Sequence, residues 1–202
     1  MPKTAILILA AGASSRMGRE DKLMKDVNGT ALLARVLTRA LSTQLPVFVT
    51  LPTLNHPRAT LLQGSTATPI AVPDWSSGMA ASIRQGITGL PDQTPGVMIL
   101  PGDMPDLTTD DLTHLAHTSK NNPNAIIRAT TENGSPGHPV IFPAELFASL
   151  RQITGDQGAR AVIKAHMGRL KQIVLPGNHA LCDLDTPEDW TAWHRANGAQ
   201  GG

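Results

Sequence analysis

Cysteine is almost missing from this chain: Cys182 is the only one among 202 residues. A lone thiol excludes an intramolecular disulfide and fits a reducing compartment. Surplus charge is missing as well. Lys and Arg number 17 against 16 Asp and Glu, for a formal net charge of +1. That balance gives no global electrostatic case for binding nucleic acid or an anionic membrane. Any anion site must therefore be local. No apolar run reaches the roughly 20 residues of a membrane-spanning helix, and no internal repeat or low-complexity block occurs. The phosphate-binding patterns GxxxxGKS/T and GxGxxG are also unmatched.

What remains is the composition of a globular protein, with 41% hydrophobic and 16% charged residues. The length suits one substantial core. We expect a single domain over 1–197 and a mobile tail over 198–202, where glycine and small residues collect. Near the start, Lys3 followed by Ala5-Ile6-Leu7-Ile8-Leu9-Ala10-Ala11 imitates a short signal peptide. A strand buried on both faces of a parallel sheet, feeding a glycine turn, explains the same residues. On that reading the protein is cytoplasmic.

Strand-like and helix-like segments alternate. The pattern predicts strands at 4–10, 47–51, 69–72, 97–101, 125–128, 139–142 and 172–175, with a short one near 182–184. Helices are predicted at 31–43, 55–63, 79–88, 109–119, 144–151, 157–167 and 187–196. Thr108 and Thr186 stand where N-caps belong, the latter before a proline at the first helical position. Such alternation implies an α/β protein with an open parallel sheet covered by helices on both faces. Ligands then bind beyond the carboxyl ends of the strands. The loop-rich stretch 129–138 is expected to join a small lobe to the sheet.

The first strand runs straight into Leu9-Ala10-Ala11-Gly12-Ala13-Ser14-Ser15-Arg16-Met17-Gly18-Arg19-Glu20-Asp21-Lys22. Small residues let backbone N–H groups approach phosphate oxygens. Arg16 can fork two donors onto a phosphate and Lys22 adds a compact charge. A plain glycine turn with solvated basic residues is the competing reading. The spacing of the glycines, Arg16 and Lys22 favours a holder for a nucleoside triphosphate.

These residues resemble the signature of the nucleotidyltransferases that attach a nucleotide to molybdopterin, the molybdenum cofactor cytidylyltransferases in particular. Further segments agree in order: Gly78-Met79-Ala80-Ala81-Ser82-Ile83-Arg84-Gln85-Gly86, Gly102-Asp103-Met104-Pro105, Gly137-His138-Pro139-Val140, Gly155-Asp156-Gln157-Gly158-Ala159-Arg160 and Asp183-Leu184-Asp185-Thr186-Pro187-Glu188-Asp189. The resemblance spans about residues 4–193. It implies a three-layer, Rossmann-like nucleotidyltransferase fold with a mostly parallel sheet.

Asp103 ends an apolar strand and Asp185 follows a short apolar segment far away in sequence. Two carboxylates converging there would suit Mg²⁺, which keeps waters and substrate phosphates as its other ligands. The resemblance assigns both to the metal, although Asp103 would also suit an Asx turn and Asp185 stands among acids favoured at a helix start. Asp183 and Asp189 are read as structural or solvated. The resemblance further places Leu9, Ala10, Ala11, Gly12, Gly78, Met79 and Ser82 around the nucleotide, with Arg16, Lys22 and Asp103 in the chemistry. Met79 and Ser82 fit an ordinary helix start almost as well. His138, between Gly137 and Pro139, is assigned to the second substrate, against a histidine simply satisfied at a strand entrance. Arg160 is either an anion contact or a helix-surface residue. His114 and His117 lack a third ligand and read as a solvated face. Trp190 and Trp193 read as packing, and Cys182, placed in a strand, as core.

The implied reaction transfers CMP from CTP to the phosphate of molybdopterin and releases pyrophosphate, with a molybdenum hydroxylase apoenzyme as a downstream partner. Where guanylyltransferase relatives show a second glycine, this chain has Ala11, whose methyl group would narrow the space beside the base and favour cytosine. The alternatives are a GTP-using guanylyltransferase, a sugar- or alcohol-phosphate nucleotidyltransferase, and a non-catalytic cofactor carrier.

Overall fold

Alternating apolar residues on the opening strand divide the core. In the computed structural model, which describes residues 3–12, 21–155, 158–184 and 186–198, Ala5–Leu9 forms β1. Ile6 and Ile8 enter one core and Ala5 and Leu7 the other, because successive side chains of a strand point to opposite faces. The same division holds for Val47–Leu51 (β4) and Gly96–Pro101 (β6), where Val49 and Met98 face one way and Phe48 and Ile99 the other. One layer buries Leu32–Ser42 (α1), Thr109–Asn121 (α3) and Pro187–Gly198 (α6) against the sheet. The other takes Met79–Thr88 (α2), Phe147–Leu150 (α4) and Arg160–Ala165 (α5). This is the expected three-layer α/β architecture, with helices on both faces of a mostly parallel sheet.

Seven strands make the sheet, in the order β5-β4-β1-β6-β8-β7-β9. The remaining members are Thr68–Ala71 (β5), Ile126–Thr130 (β7), Pro136–Pro143 (β8) and Leu170–Val174 (β9). β8 alone is reversed, pairing antiparallel with both β6 and β7, so the sheet is mixed rather than wholly parallel. The stretch 129–138 is accordingly the β7–β8 hairpin, turning at Gly134 with φ of +81°, and no lobe is hinged there. The reversal also governs the site. It sets the amino-terminal end of β8 beside the carboxyl end of β6, at the edge where ligands of such sheets bind.

Other boundaries moved. Residues 182–184 are not a strand: Leu184 donates one backbone hydrogen bond to the Asp103 carbonyl, at 3.2 Å, without a ladder around it. The helix expected at 55–63 is a 3-10 segment over Pro57–Leu62. The two expected at 144–151 and 157–167 shrink to α4 and α5, flanked by the 3-10 turns Ala144–Leu146 and Met167–Arg169. A small hairpin, Asp26–Val27 (β2) with Thr30–Ala31 (β3), was not anticipated. Its turn is Asn28-Gly29, both at positive φ, the combination a two-residue hairpin favours. Capping followed expectation. Thr108 and Asp111 form a capping box on α3, and Thr186 and Asp189 exchange the same bonds on α6. No helix among the described residues is long and apolar enough to cross a membrane.

Candidate active site

A cavity of about 710 Å³ opens where β1 and β6 end and β8 begins. Leu9, the last residue of β1, lines it with Gly12 just beyond. The turn after β6 is drawn against β1 by a bond from Gly102 N to the Leu9 carbonyl at 3.1 Å. A Cβ on Gly102 would itself stand 3.1 Å from that oxygen, so glycine suits the close approach. The next residue, Asp103, is thereby held at the mouth of the sheet.

Across from it, the 3-10 turn Lys22–Met24 begins with Asp21 accepting from Leu23 N. Lys22 Nζ donates to Asp103 Oδ2 at 2.6 Å, with side chains only 13% and 16% exposed. Asp103 Oδ1 is buried and has no hydrogen-bond partner among the described residues. Such an atom is costly unless something satisfies it. Asp183 also lines the cavity, and Leu184 is hydrogen-bonded to the Asp103 backbone. The segment leading to Asp185 is thus docked on the Asp103 turn. Asp185 itself, and Arg16, lie outside the described residues.

Gly78 caps α2 with φ of +94°, a conformation natural only to glycine. It delivers Met79 and Ser82 to the cavity, beside Trp75. Ala10 and Ala11 are set back from the cavity surface. Both are fully buried and neither lines the cavity. The Ala11 methyl packs with Val72 and Ala81, with Trp75 against that cluster.

The opposite wall is built on the hairpin. Gly137 passes so close to the Ala180 carbonyl that a Cβ would lie 2.0 Å from the oxygen, and His138 N donates to that same carbonyl at 2.8 Å. Arg128 Nε donates to the Gly137 carbonyl at 3.1 Å. Arg160 completes the wall. His138 Nδ1 is buried without a partner among the described residues. Burial first, then the Arg128 charge, holds its imidazole down at about 4; Asp103 pulls the other way and Arg160 adds to the lowering. His138 is therefore neutral at physiological pH.

Arg58 was missed entirely. It is 2% exposed and sits within Pro57–Leu62. Its Nη1 donates to the carbonyls of Ala10 and Gly12 at 2.6 and 2.9 Å. Nε and Nη2 donate to the Asp21 carboxylate at 2.8–3.0 Å. One buried guanidinium thus ties both ends of the glycine-rich loop together. No local motif announces it, since the partners are 37 to 48 residues away. His114 and His117 are exposed, and no cluster of three metal-ligating side chains occurs among the described residues. Trp190 and Trp193 are core. Cys182 is half-buried, its thiol pushed up by burial and a hydrogen bond with Asp106, which suits no nucleophile.

A Rossmann-like sheet ending in a glycine-rich loop, a lysine–aspartate pair and a basic wall defines a nucleotidyltransferase, an enzyme that handles phosphates at the strand ends. The particular family follows from comparison: residues 6–171 match the MobA-like NTP transferase domain, and the chain belongs to that family. It is similar to the molybdenum cofactor cytidylyltransferase of Escherichia coli (strain K12), at 26% identity over 193 residues, covering 91% of this chain and 92% of the relative. It is also similar to the molybdenum cofactor guanylyltransferase of Methylibium petroleiphilum, at 30% over 192 residues, covering 94% and 82%. Among solved structures, a nucleotidyl transferase from Methanothermobacter thermautotroptrophicus superposes with a TM-score of 0.82 at 16% identity, covering 98% and 99%. A manganese complex of Rv0371c from Mycobacterium tuberculosis H37Rv gives 0.77 at 19%, covering 94% and 97%.

Proposed function

We propose that this nucleotidyltransferase moves CMP from CTP to the terminal phosphate of a molybdopterin-type acceptor, releasing pyrophosphate, with Mg²⁺ as its cofactor. The observation that carries the reading is Asp103, whose Oδ2 holds Lys22 while its Oδ1 lies buried and unpartnered among the described residues. A catalytic pair of this kind suits phosphoryl chemistry better than simple carriage of a finished cofactor. Both relatives named above carry molybdenum cofactor in their names, which supports the acceptor.

The acceptor phosphate is already anionic at neutral pH, so no strong base is required. One of its oxygens attacks the α-phosphorus, a P–O bond forms, and the bond to the β-phosphate oxygen breaks. Pyrophosphate leaves with that electron pair. The protein's tasks are alignment and charge neutralisation. Leu9 and Gly12 border the triphosphate and Gly78, Met79 and Ser82 border the nucleoside. Lys22 exchanges Asp103 for phosphate oxygens as the triphosphate enters, and Arg16 adds a second cation. Asp103 Oδ1 is an oxygen donor of the kind a hard cation takes. Together Asp103 and Asp185 would hold Mg²⁺, which when bound neutralises charge on the triphosphate and on the departing pyrophosphate. His138 meets the acceptor as a neutral group.

The second reading replaces CTP with GTP. It is favoured by the 30% identity to a guanylyltransferase and by the Ala11 methyl packing into an apolar cluster with Val72 and Ala81 instead of lining the cavity. Pyrophosphate release, followed with CTP and GTP separately and with and without Mg²⁺, tests the proposal. Mg²⁺-dependent release with CTP in the presence of acceptor is expected. Clear GTP preference replaces the base, and no release with either nucleotide restores the carrier reading.

A further inference from the structure

We infer that Arg128 and Arg160 form a dianion site, the seat of a phosphomonoester on the second substrate, separate from the triphosphate end of the cavity. The inference rests on the nucleotidyl-transfer reading and deepens it by naming what holds the acceptor.

The two ends of the cavity differ in charge. Lys22 faces Asp103 directly, so the positive charge there is met by a carboxylate 2.6 Å away. Arg128 and Arg160 have no carboxylate partner among the described residues. They line the same cavity wall in a chain whose whole formal charge is only +1. Arg128 is anchored, spending Nε on the Gly137 carbonyl while its two Nη groups have no partner among the described residues. An anchored guanidinium with a spare edge is a ready fork for two phosphate oxygens. Each arginine also burdens the other: burial and then the Arg160 charge lower the Arg128 pKa. Two like charges facing one cavity cost energy that a dianion between them would recover.

Chain geometry places this wall where an acceptor must stand. Arg128 belongs to β7 and is tied to Gly137, next to His138 at the start of β8, and β8 begins beside the end of β6 and Asp103. A phosphate held by the arginines would therefore approach the α-phosphorus from the side away from Lys22 and the pyrophosphate. His138, neutral and with a buried unpartnered Nδ1, would stand by it without competing for its charge. Arg160 lies at the start of α5, after Gly158 with φ of +54°, on a segment that also approaches Met79. The acceptor's arginine and the nucleoside's α2 are thus linked through one loop.

The test uses the full chain and inorganic phosphate as probe. Calorimetry would measure phosphate binding to protein saturated with the α,β-methylene analogue of CTP, or of GTP if that is the one bound. Wild type is expected to bind phosphate alongside the analogue. Arg128→Gln and Arg160→Gln should each weaken phosphate at least ~10-fold, the scale of losing a charge-assisted contact, while changing analogue affinity less than about twofold. Arg128→Lys should recover part of the loss. Arg160 is exposed, so its variant remains informative if Arg128→Gln fails to fold. No phosphate binding to wild type, displacement of the analogue by phosphate, or equal affinity in Arg160→Gln would each overturn the site. Because no molybdopterin enters this experiment, a failure to modify molybdopterin would refute the proposed acceptor without touching the result.

Discussion

The two walls of the cavity are made from the same sheet by opposite means. On the β1–β6 side, parallel strands end in loops, and the catalytic candidates Lys22 and Asp103 sit in those loops, already neutralising each other. On the β8–β7 side a reversed strand begins at the same edge, and its residues are part of a hairpin with a backbone fixed by Gly137 against Ala180. There the positive charge is left unmet by any described carboxylate. The difference teaches a division of labour. One wall holds an ion pair closed on itself, which on the proposed function would open to triphosphate and metal, and the other holds standing charge suited to a partner that brings its own anion.

The largest expected effect lies at the anchor of the glycine-rich loop. Arg58→Ala removes the guanidinium that joins Ala10, Gly12 and Asp21, and leaves the partly buried Asp21 without it. A loss of about 3–5 kcal/mol in stability is expected from breaking such a buried pair, read from urea unfolding. A loss under ~1 kcal/mol would show that the loop ends are held by something else. Next in size is Asp103→Asn, expected to lower turnover by ~100-fold or more with the fold intact by circular dichroism, the scale of removing one electrostatic contact to the transition state. Near-normal turnover would take Asp103 out of the chemistry. Lys22→Ala should cost at least ~10-fold at saturating triphosphate, and unchanged turnover there would confine Lys22 to structure.

The smallest effect sharpens the opposite wall. Folded His138 gains a proton only near pH 4, whereas unfolded it does so near its ordinary 6.5. Between those values the unfolded chain binds more protons, so stability rises with pH and falls as pH drops from 6.5 toward 4. From pH 7 to 5.5 this one group should remove about 1 kcal/mol. His138→Gln should flatten the slope of unfolding free energy by that amount over the same interval. An identical slope in the variant would mean His138 is not held neutral by the arginines and burial.

The layers were legible because they rest on periodicity. Ile6 and Ile8 against Ala5 and Leu7, and the apolar stripe of α1, announce themselves over short windows. The reversal of β8 was not legible, since its apolar run reads alike in either direction and pairing is decided by the turn at 131–135. Residues 182–184 looked like a strand through their composition, yet they lack a neighbouring edge to pair with. Within the site, the short motifs carry Lys22, Asp103, Gly78 and His138, and the fold brings these four to one cavity. A glycine-loop position does not reveal which way the Ala11 methyl points, and in the fold it packs into a small apolar cluster. Arg58 and Arg128 went unseen for a different reason: their meaning lies wholly in partners contributed by other elements.

The most direct test of the central claim is to incubate the protein with molybdopterin, Mg²⁺ and each nucleoside triphosphate separately, and to identify the product by mass. Molybdopterin extended by a CMP unit is expected, formed with CTP, accompanied by one pyrophosphate and absent when Mg²⁺ is removed. Unmodified molybdopterin with every triphosphate, and no pyrophosphate released, would contradict it.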